Sequence, residues 1–451
     1  MRIEVMKFKS GERYPMLLGD DGVPDFWVTH YVTQNLRNDK ASTTIVQYLK
    51  SFIHFKKWER MNDRSILDEI YSGKIPNSDE IKKIKEHCNF QSKALLEKKI
   101  GKVTDMSQFH LSKSMDKPTV SKNHFNTRIA HIADFLSFIG QERVKHKPTA
   151  AKLTDELKKM EKEFKKNKPK RTLKKSSVDK SGIPDDVFED FIEVARPGSL
   201  YNPFKNMDIQ FRNYIILQVF YETGFRCSEL LALRIGDIGS EIDNPTLTIE
   251  RRHDSKDDPR PREPTAKTLG RTVRISSELR SLLHFYIKNQ RAQTETSISH
   301  PFIFVSHKSK KGSYESGKPI VQQTINDIFN FIKKVNPERF WGVTPHLFRH
   351  YFNQLVSAQI DSQKEIVLKE VERLERSGIP ETAKLYSREN MITEQQELEI
   401  RAYLNGHSSL DSGRFYLDRT IRMRAKKISE AVHEKLKQTI NGVNRGQYNT
   451  K

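Results

Sequence analysis

Apolar residues recur at three- and four-residue spacing through most of this chain. Between Asp25 and about Gln141 the segments FWVTHYVTQNL and TTIVQYLKSFIHFKKWERM keep that period. HFNTRIAHIADFLSFIG repeats it and ends in Gly140, a helix stop. The spacing predicts an all-α domain over residues 20–145, preceded by a short mixed segment, residues 1–19, with no legible period. The pattern then lapses. From 146 to 180 large apolar residues are few and lysines many, most densely in KKNKPKRTLKK at 165–175. This reads as a basic linker, helical between Thr154 and Lys166 and extended through Pro169.

A second domain, residues 181–451, begins where the period returns. SGIPDDVFEDFIEVA predicts a capped helix, with Pro184 near its first turn and two aspartates at the positive helix end. DIQFRNYIILQVFYETGF and CSELLALRIGDI are strongly apolar helical segments. The period shortens to two in TLTIE (246–250) and RTVRIS (271–276), which predicts a small hairpin, and PFIFVS (301–306) is a further strand candidate. VQQTINDIFNFIKKV and HLFRHYFNQLVSA are helical again. SGIP at 377–380 reads as a helix break, and Thr393 with Gln396 as a capping box, so inserted helices are expected over about 357–400. There is no internal repeat. The expected fold is mainly α with a small antiparallel β-sheet in the second domain, behind the helical N-terminal one.

Composition narrows the partners. The 451 residues carry a formal net charge of +21 and a sequence pI of about 9.6. Such an excess points to a polyanion, either nucleic acid or an anionic membrane surface. The N-terminus lacks the apolar stretch of a signal peptide, and no segment approaches the roughly 20 apolar residues that span a bilayer. Double-stranded DNA is therefore the expected partner, with no membrane, in a cytoplasmic, nucleoid-associated protein. Cys88 and Cys227 lie far apart with no metal-binding spacing, which argues against a disulfide framework and fits a reducing compartment. The lysines and arginines interleaved with the apolar faces of residues 20–145 would lie on DNA phosphates.

Four pieces of the second domain place unusual polar residues in apolar settings. In TGFRCSELLAL, Arg226 and Glu229 are three apart and share a helix face. The turn of the TAKTLGRTVRIS hairpin offers Lys267. In TPHLFRHYF, His346, Arg349 and His350 stand at i, i+3 and i+4, which points His346 and Arg349 the same way. LNGHSSLDSGRFYLDRT holds His407 and, nine residues on, Tyr416. Each alone reads as a structural residue. Together, two arginines, two histidines, a lysine and a tyrosine suit one phosphodiester. Arginine forks bind non-bridging oxygens and stabilise charge at phosphorus, tyrosine can attack, and lysine can protonate the leaving oxygen. No Asp/Asp/Glu metal set stands out, so neither metal nor cofactor is expected.

In this order the pieces resemble the signature of the tyrosine recombinase (phage integrase) family. TGFRCSELLALRIGDI resembles its first arginine box, HLFRH the second, and NGHSS with its downstream tyrosine the third. The resemblance covers about residues 181–425 and implies a role for each residue. Tyr416 forms a 3′-phosphotyrosine and releases a 5′-hydroxyl. Arg226 and Arg349 clamp the phosphate, Lys267 is the general acid, His346 assists proton transfer and His407 bonds the phosphate. Glu229 and His350 support these from behind. It further implies a site-specific recombinase or integrase of a mobile element, working without ATP. It would act as a homotetramer on two duplexes, with room for an accessory DNA-bending or directionality protein. The amphipathic segment 426–440 would dock on a neighbouring subunit.

Three departures stand out: Asn405 where leucine is usual before Gly406-His407, GRFYLDRT around Tyr416, and a long gap between His350 and His407. A type IB topoisomerase shares the tyrosine chemistry and is the alternative enzyme. The HxxRH and GHSS boxes favour the recombinase over it. A non-catalytic DNA-binding relative or a metal-dependent transposase fits less well, because all six catalytic positions are filled.

Overall fold

The computed structural model describes residues 1–92, 118–145, 151–166, 169, 183–264, 269–307 and 316–406. The chain divides into two compact units, Met1–Asp179 and Lys180–Lys451. Both are mainly helical, and among the described residues each has one two-stranded antiparallel sheet. No helix among these residues is long and apolar enough to cross a membrane.

In the first unit, residues 1–19 contribute a hairpin that their mixed sequence did not advertise. β1 (Arg2–Lys7) pairs with β2 (Arg13–Leu18), with Arg2 opposite Leu18 and Lys7 opposite Arg13. Tyr14, Leu17 and Leu18 are buried. The N-terminal unit is thus helical with an added hairpin. Its helices are α1 (Phe26–Tyr31), α2 (Ser42–Met61), α3 (Ile66–Ser72), α4 (Ser78–Cys88), α5 (Lys122–Lys145) and α6 (Ala151–Lys165). Asp25 caps α1 by accepting from the Val28 N–H at 3.0 Å, and Asn77 with Glu80 forms a capping box on α4. The core gathers on α2 and α5, where the Phe52 and Phe135 rings lie 4.4 Å apart with Tyr31 against both.

Two features here differ from expectation. Gly140 does not stop a helix. It lies buried inside α5, and a Cβ built on it would overlap the Leu157 side chain of α6. Glycine is present because the two helices approach closely. Residues 151–165, expected within the linker, pack as α6 into this core through Leu157, Met160 and Phe164. The lysines of α6 form its outer face, and their number masked the apolar stripe between them.

The second unit opens with α7 (Asp185–Val194), whose first turn holds Asp185 and Asp186. α8 (Met207–Thr223) is capped by Asn206, which accepts from the Ile209 N–H at 3.0 Å. The short α9 (Cys227–Ala232) follows. β3 (Thr246–Ile249) pairs antiparallel with β4 (Arg271–Arg274), the predicted hairpin. PFIFVS makes only single bridges, Phe302 to Arg234 and Val305 to Pro319, rather than a strand. α10 (Ser277–Phe285), α11 (Gln322–Lys333) and α12 (Pro337–Phe340) lead to α13 (Pro345–Arg376), capped by Thr344. Phe188, Phe191, Phe220, Phe329 and Phe348 fill the centre with edge-on ring contacts.

The helix bearing HLFRH and the first part of the insertion are one continuous α13. The chain breaks at Ser377–Ile379, enters α14 (Pro380–Asn390), and restarts at the Thr393–Gln396 capping box as α15 (Glu394–Asn405).

We expect Gly140→Ala to lower stability by about 1–3 kcal/mol, despite alanine's higher helix propensity, because the added methyl overpacks the α5–α6 contact. Paired with Leu157→Ala it should cost less than the sum of the two single changes. Urea unfolding of the three variants measures this, and an unchanged midpoint in Gly140→Ala would show that Leu157 has room to turn aside.

Candidate active site

The turn between α8 and α9 sets the first arginine. Gly224 adopts a left-handed conformation (φ 60°), and a Cβ there would lie 2.8 Å from the Phe352 side chain. The reversal buries Phe225 and delivers Arg226 to the N-cap of α9. Glu229, one turn in, reaches back. Its carboxylate accepts the Arg226 backbone N–H at 3.0 Å and the Arg226 Nη1 at 3.2 Å.

Glu229 is fully buried and organises more than its own helix. Arg271, at the start of β4, donates Nη2 to Glu229 Oε2 at 2.8 Å. Arg349, on α13, has Nη1 3.8 Å from the same oxygen. Burial by itself would raise the Glu229 pKa, but the Arg271 hydrogen bond and the charges of Arg271 and Arg349 outweigh it and hold the carboxyl at about 2.

The same arginines collect the C-terminal end of α15, where unsatisfied carbonyls carry partial negative charge. Arg271 Nε donates to the Leu404 carbonyl at 2.9 Å. Arg226 Nη1 and Arg349 Nη2 both donate to the Asn405 carbonyl, at 3.3 and 2.8 Å. Arg349 Nη1 also holds the Gly224 carbonyl at 2.9 Å. The Leu269 N–H donates to the Gly406 carbonyl at 3.0 Å. Arg226 is 33% exposed at the rim, while Arg349 lies behind it, 1% exposed. Two guanidiniums from well-separated stretches of the unit's sequence thus converge on one oxygen atom.

Of the residues singled out in the sequence, Arg226, Glu229 and Arg349 come together here. His346 and His350 pair with each other on α13, Nε2 to Nε2 at 3.1 Å. His346 is exposed, so it does not point the same way as the buried Arg349. A three-residue step leaves about 60° between side chains and a four-residue step about 40°, on opposite sides. Arg349 turns inward from His346 while His350 stays beside it. Lys267, His407, Tyr416 and the segment 426–440 lie outside the described residues. Leu269, two positions after Lys267 in sequence, is bonded to Gly406, the residue before His407. The loop leading towards Lys267 is anchored by the buried Arg260. That side chain pairs with Asp258 at 2.8 Å and donates to the Leu231 and Ile320 carbonyls at 3.1 and 2.9 Å.

Sequence reasoning missed Arg271, Asn353 and Asn405 as parts of this cluster. Arg271 left a signal. Strand alternation puts positions 271, 273 and 275 on one face, and Val273 and Ile275 mark that face as buried. An arginine at such a parity needs an acid within reach. Asn353 left none, since a single amide on a long helix reads as surface.

Residues 194–364 match the model of the phage integrase family. Part of the chain also aligns with curated relatives. Transposase A from transposon Tn554 of Staphylococcus aureus, in strains Mu50 and N315, is 31% identical over 140 residues. That alignment covers 31% of this chain and 34% of the transposase, so it spans about a third of the relatives' length. Among solved structures, XerA recombinase is 16% identical over 89% of this chain and 97% of its own, with a TM-score of 0.33. A Tn1549 transposon integrase in complex with circular intermediate DNA is 14% identical over 80% and 99%, with a TM-score of 0.35.

Glu229→Gln should destabilise the second unit by about 3 kcal/mol, since it leaves buried guanidinium charge without its carboxylate. The pH dependence has a definite sign. The carboxyl's folded pKa lies below its ordinary value of 4.5, so its stabilising contribution is full above about pH 4.5 and is lost as pH falls towards 2. Denaturant midpoints from pH 6 down to 2.5 should drop more steeply in the native chain than in Glu229→Gln. Parallel curves would place the linkage elsewhere.

Proposed function

We propose that the protein is a site-specific DNA recombinase of a mobile element, which breaks and rejoins strands through a 3′-phosphotyrosine. The observation that carries this reading is the convergence of Arg226 and Arg349 on a single acceptor oxygen. That is the arrangement needed to stabilise the oxygens of one scissile phosphate as charge accumulates on them. Arg226, at the rim, meets the phosphate directly, and Arg349 supplies charge from behind.

In this reaction the Tyr416 hydroxyl attacks phosphorus and forms an ester bond to the 3′-phosphate. The bond from phosphorus to the 5′-oxygen breaks, and Lys267 delivers a proton to that leaving oxygen. His346, exposed on α13 with His350 beside it, takes part in removing the tyrosine proton. His407 bonds the phosphate. The ester conserves the energy of the broken bond, so rejoining is the reverse attack by a 5′-hydroxyl and uses no ATP. The transposase among the curated relatives supports a mobile element as its setting. Strand exchange between two duplexes would require four copies, and the basic first unit would add phosphate contacts.

Tyr416→Phe should abolish covalent capture of a nicked duplex while leaving DNA affinity nearly intact, because only the nucleophilic oxygen is lost. The duplex is one that the full chain selects from a random-sequence pool, and capture is read on denaturing gels with EDTA present. An adduct in Tyr416→Phe would move the nucleophile elsewhere, with Tyr403 the next candidate. Arg226→Lys should recover only part of the orders of magnitude lost in Arg226→Ala, since lysine lacks the fork.

The Lys267 role has its own test. A duplex with sulfur in place of the 5′-bridging oxygen should largely restore capture by Lys267→Ala, because a thiolate leaves without that proton. Equal inactivity on both duplexes would remove Lys267 from acid catalysis.

A further inference from the structure

The contact between α13 and α15 is polar where helix contacts are usually apolar. Asn353 and Asn405 face each other, both buried. Asn405 Nδ2 donates to Asn353 Oδ1 at 2.8 Å, and Asn353 Nδ2 donates to Asn405 Oδ1 at 3.1 Å. Each amide also holds its own helix. Asn353 Nδ2 donates to the Arg349 carbonyl and Asn405 Nδ2 to the Arg401 carbonyl, both at 2.8 Å. One turn away the fully buried Arg401 donates to Ser357 and Glu397 at 2.8 Å, and Lys364 pairs with Glu397 at 2.8 Å.

Hydrogen bonds of this kind differ from an apolar contact in one respect that matters here. They are directional and lose most of their strength when distance or angle slips, whereas apolar side chains tolerate sliding. A buried amide that loses its partner is also costly, so the seam admits one register. That register determines where the last carbonyls of α15 fall. The Asn405 backbone carbonyl is the oxygen to which Arg226 and Arg349 both bond, and Asn353 lies one turn beyond Arg349 on the same helix. The clasp therefore touches both ends of the arginine arrangement.

We propose that Asn353 and Asn405 are positioning residues for the arginine pair, their reciprocal amide clasp setting α15 against α13 so that the Asn405 carbonyl aligns both guanidiniums. This rests on the recombinase reading above and assigns a further part of the same site. A clasp acting only on stability would lower the melting temperature and leave the reaction of each folded molecule unchanged. A positioning clasp slows the chemical step and spares binding.

The experiment measures the first-order rate of covalent capture at saturating nicked duplex, the Kd for that duplex, and the folded fraction by circular dichroism. Asn353→Ala and Asn405→Ala are each expected to capture about tenfold more slowly per folded molecule, or slower still, with Kd changed by no more than about threefold, the pattern of a displaced reacting group. The double variant should be no slower than the slower single one, because either change already opens the clasp. Asn353→Leu with Asn405→Leu removes every amide group yet keeps the seam filled, so it preserves the fold where one widowed amide does not. It too is expected to capture about tenfold more slowly, for want of a directional bond. Capture at the native rate per folded molecule, in either alanine variant or in the leucine pair, overturns the proposal. The native chain and Tyr416→Phe run alongside. If the native chain forms an adduct that Tyr416→Phe does not, a fast clasp variant defeats this inference alone. No adduct from the native chain defeats the recombinase reading and this inference with it.

Discussion

A buried carboxylate stays charged only where cations and donors replace its lost water, and Glu229 is the point around which this site is built. Arg226, Arg271 and Arg349 come from three separate stretches of sequence, and all three make contact with it. Removing the carboxylate would leave guanidinium groups in a low-dielectric interior with reduced compensation. Its ionisation and their placement are one electrostatic problem with one solution.

The second constraint is the end of α15. A helix C-terminus carries partial negative charge and open carbonyls, and here they are taken up by the same arginines that Glu229 holds. The helix end and the carboxylate therefore act on the guanidiniums from two sides. Arginine suits this because its planar fork serves two acceptors at once, which a lysine ammonium does not do with the same geometry. The price of such an arrangement is buried polar surface. The Asn353–Asn405 pair and the Arg401–Glu397 pair satisfy that surface with bonds of defined direction.

The two units differ in how their polarity is used. In the first, lysines decorate the outside of an apolar core whose tightest point is the Gly140–Leu157 contact. In the second, charged groups enter the interior near the site and leave the aromatic centre of Phe188, Phe329 and Phe348 apolar. The hairpin β3–β4 is small, yet it supplies Arg271 to the site and leads into it from a loop anchored by Arg260 and Asp258.

The periodicity of the sequence was enough for most of the helices, the β3–β4 hairpin and the Thr393–Gln396 cap, because these depend on neighbours within a few residues. The type and order of Arg226, Glu229, Arg349 and the later motifs were enough to point to the phage integrase family, whose model matches residues 194–364. Only tertiary structure decided that Gly140 is a packing contact, that 151–165 joins the first core, and that Arg349 turns inward from His346. It likewise decided that Arg271 and two asparagines belong to the cluster. These depend on which surfaces meet between separate elements, from 17 residues apart for Gly140 and Leu157 to 125 for Gly224 and Arg349. A local pattern carries the face a side chain occupies but not the partner that faces it.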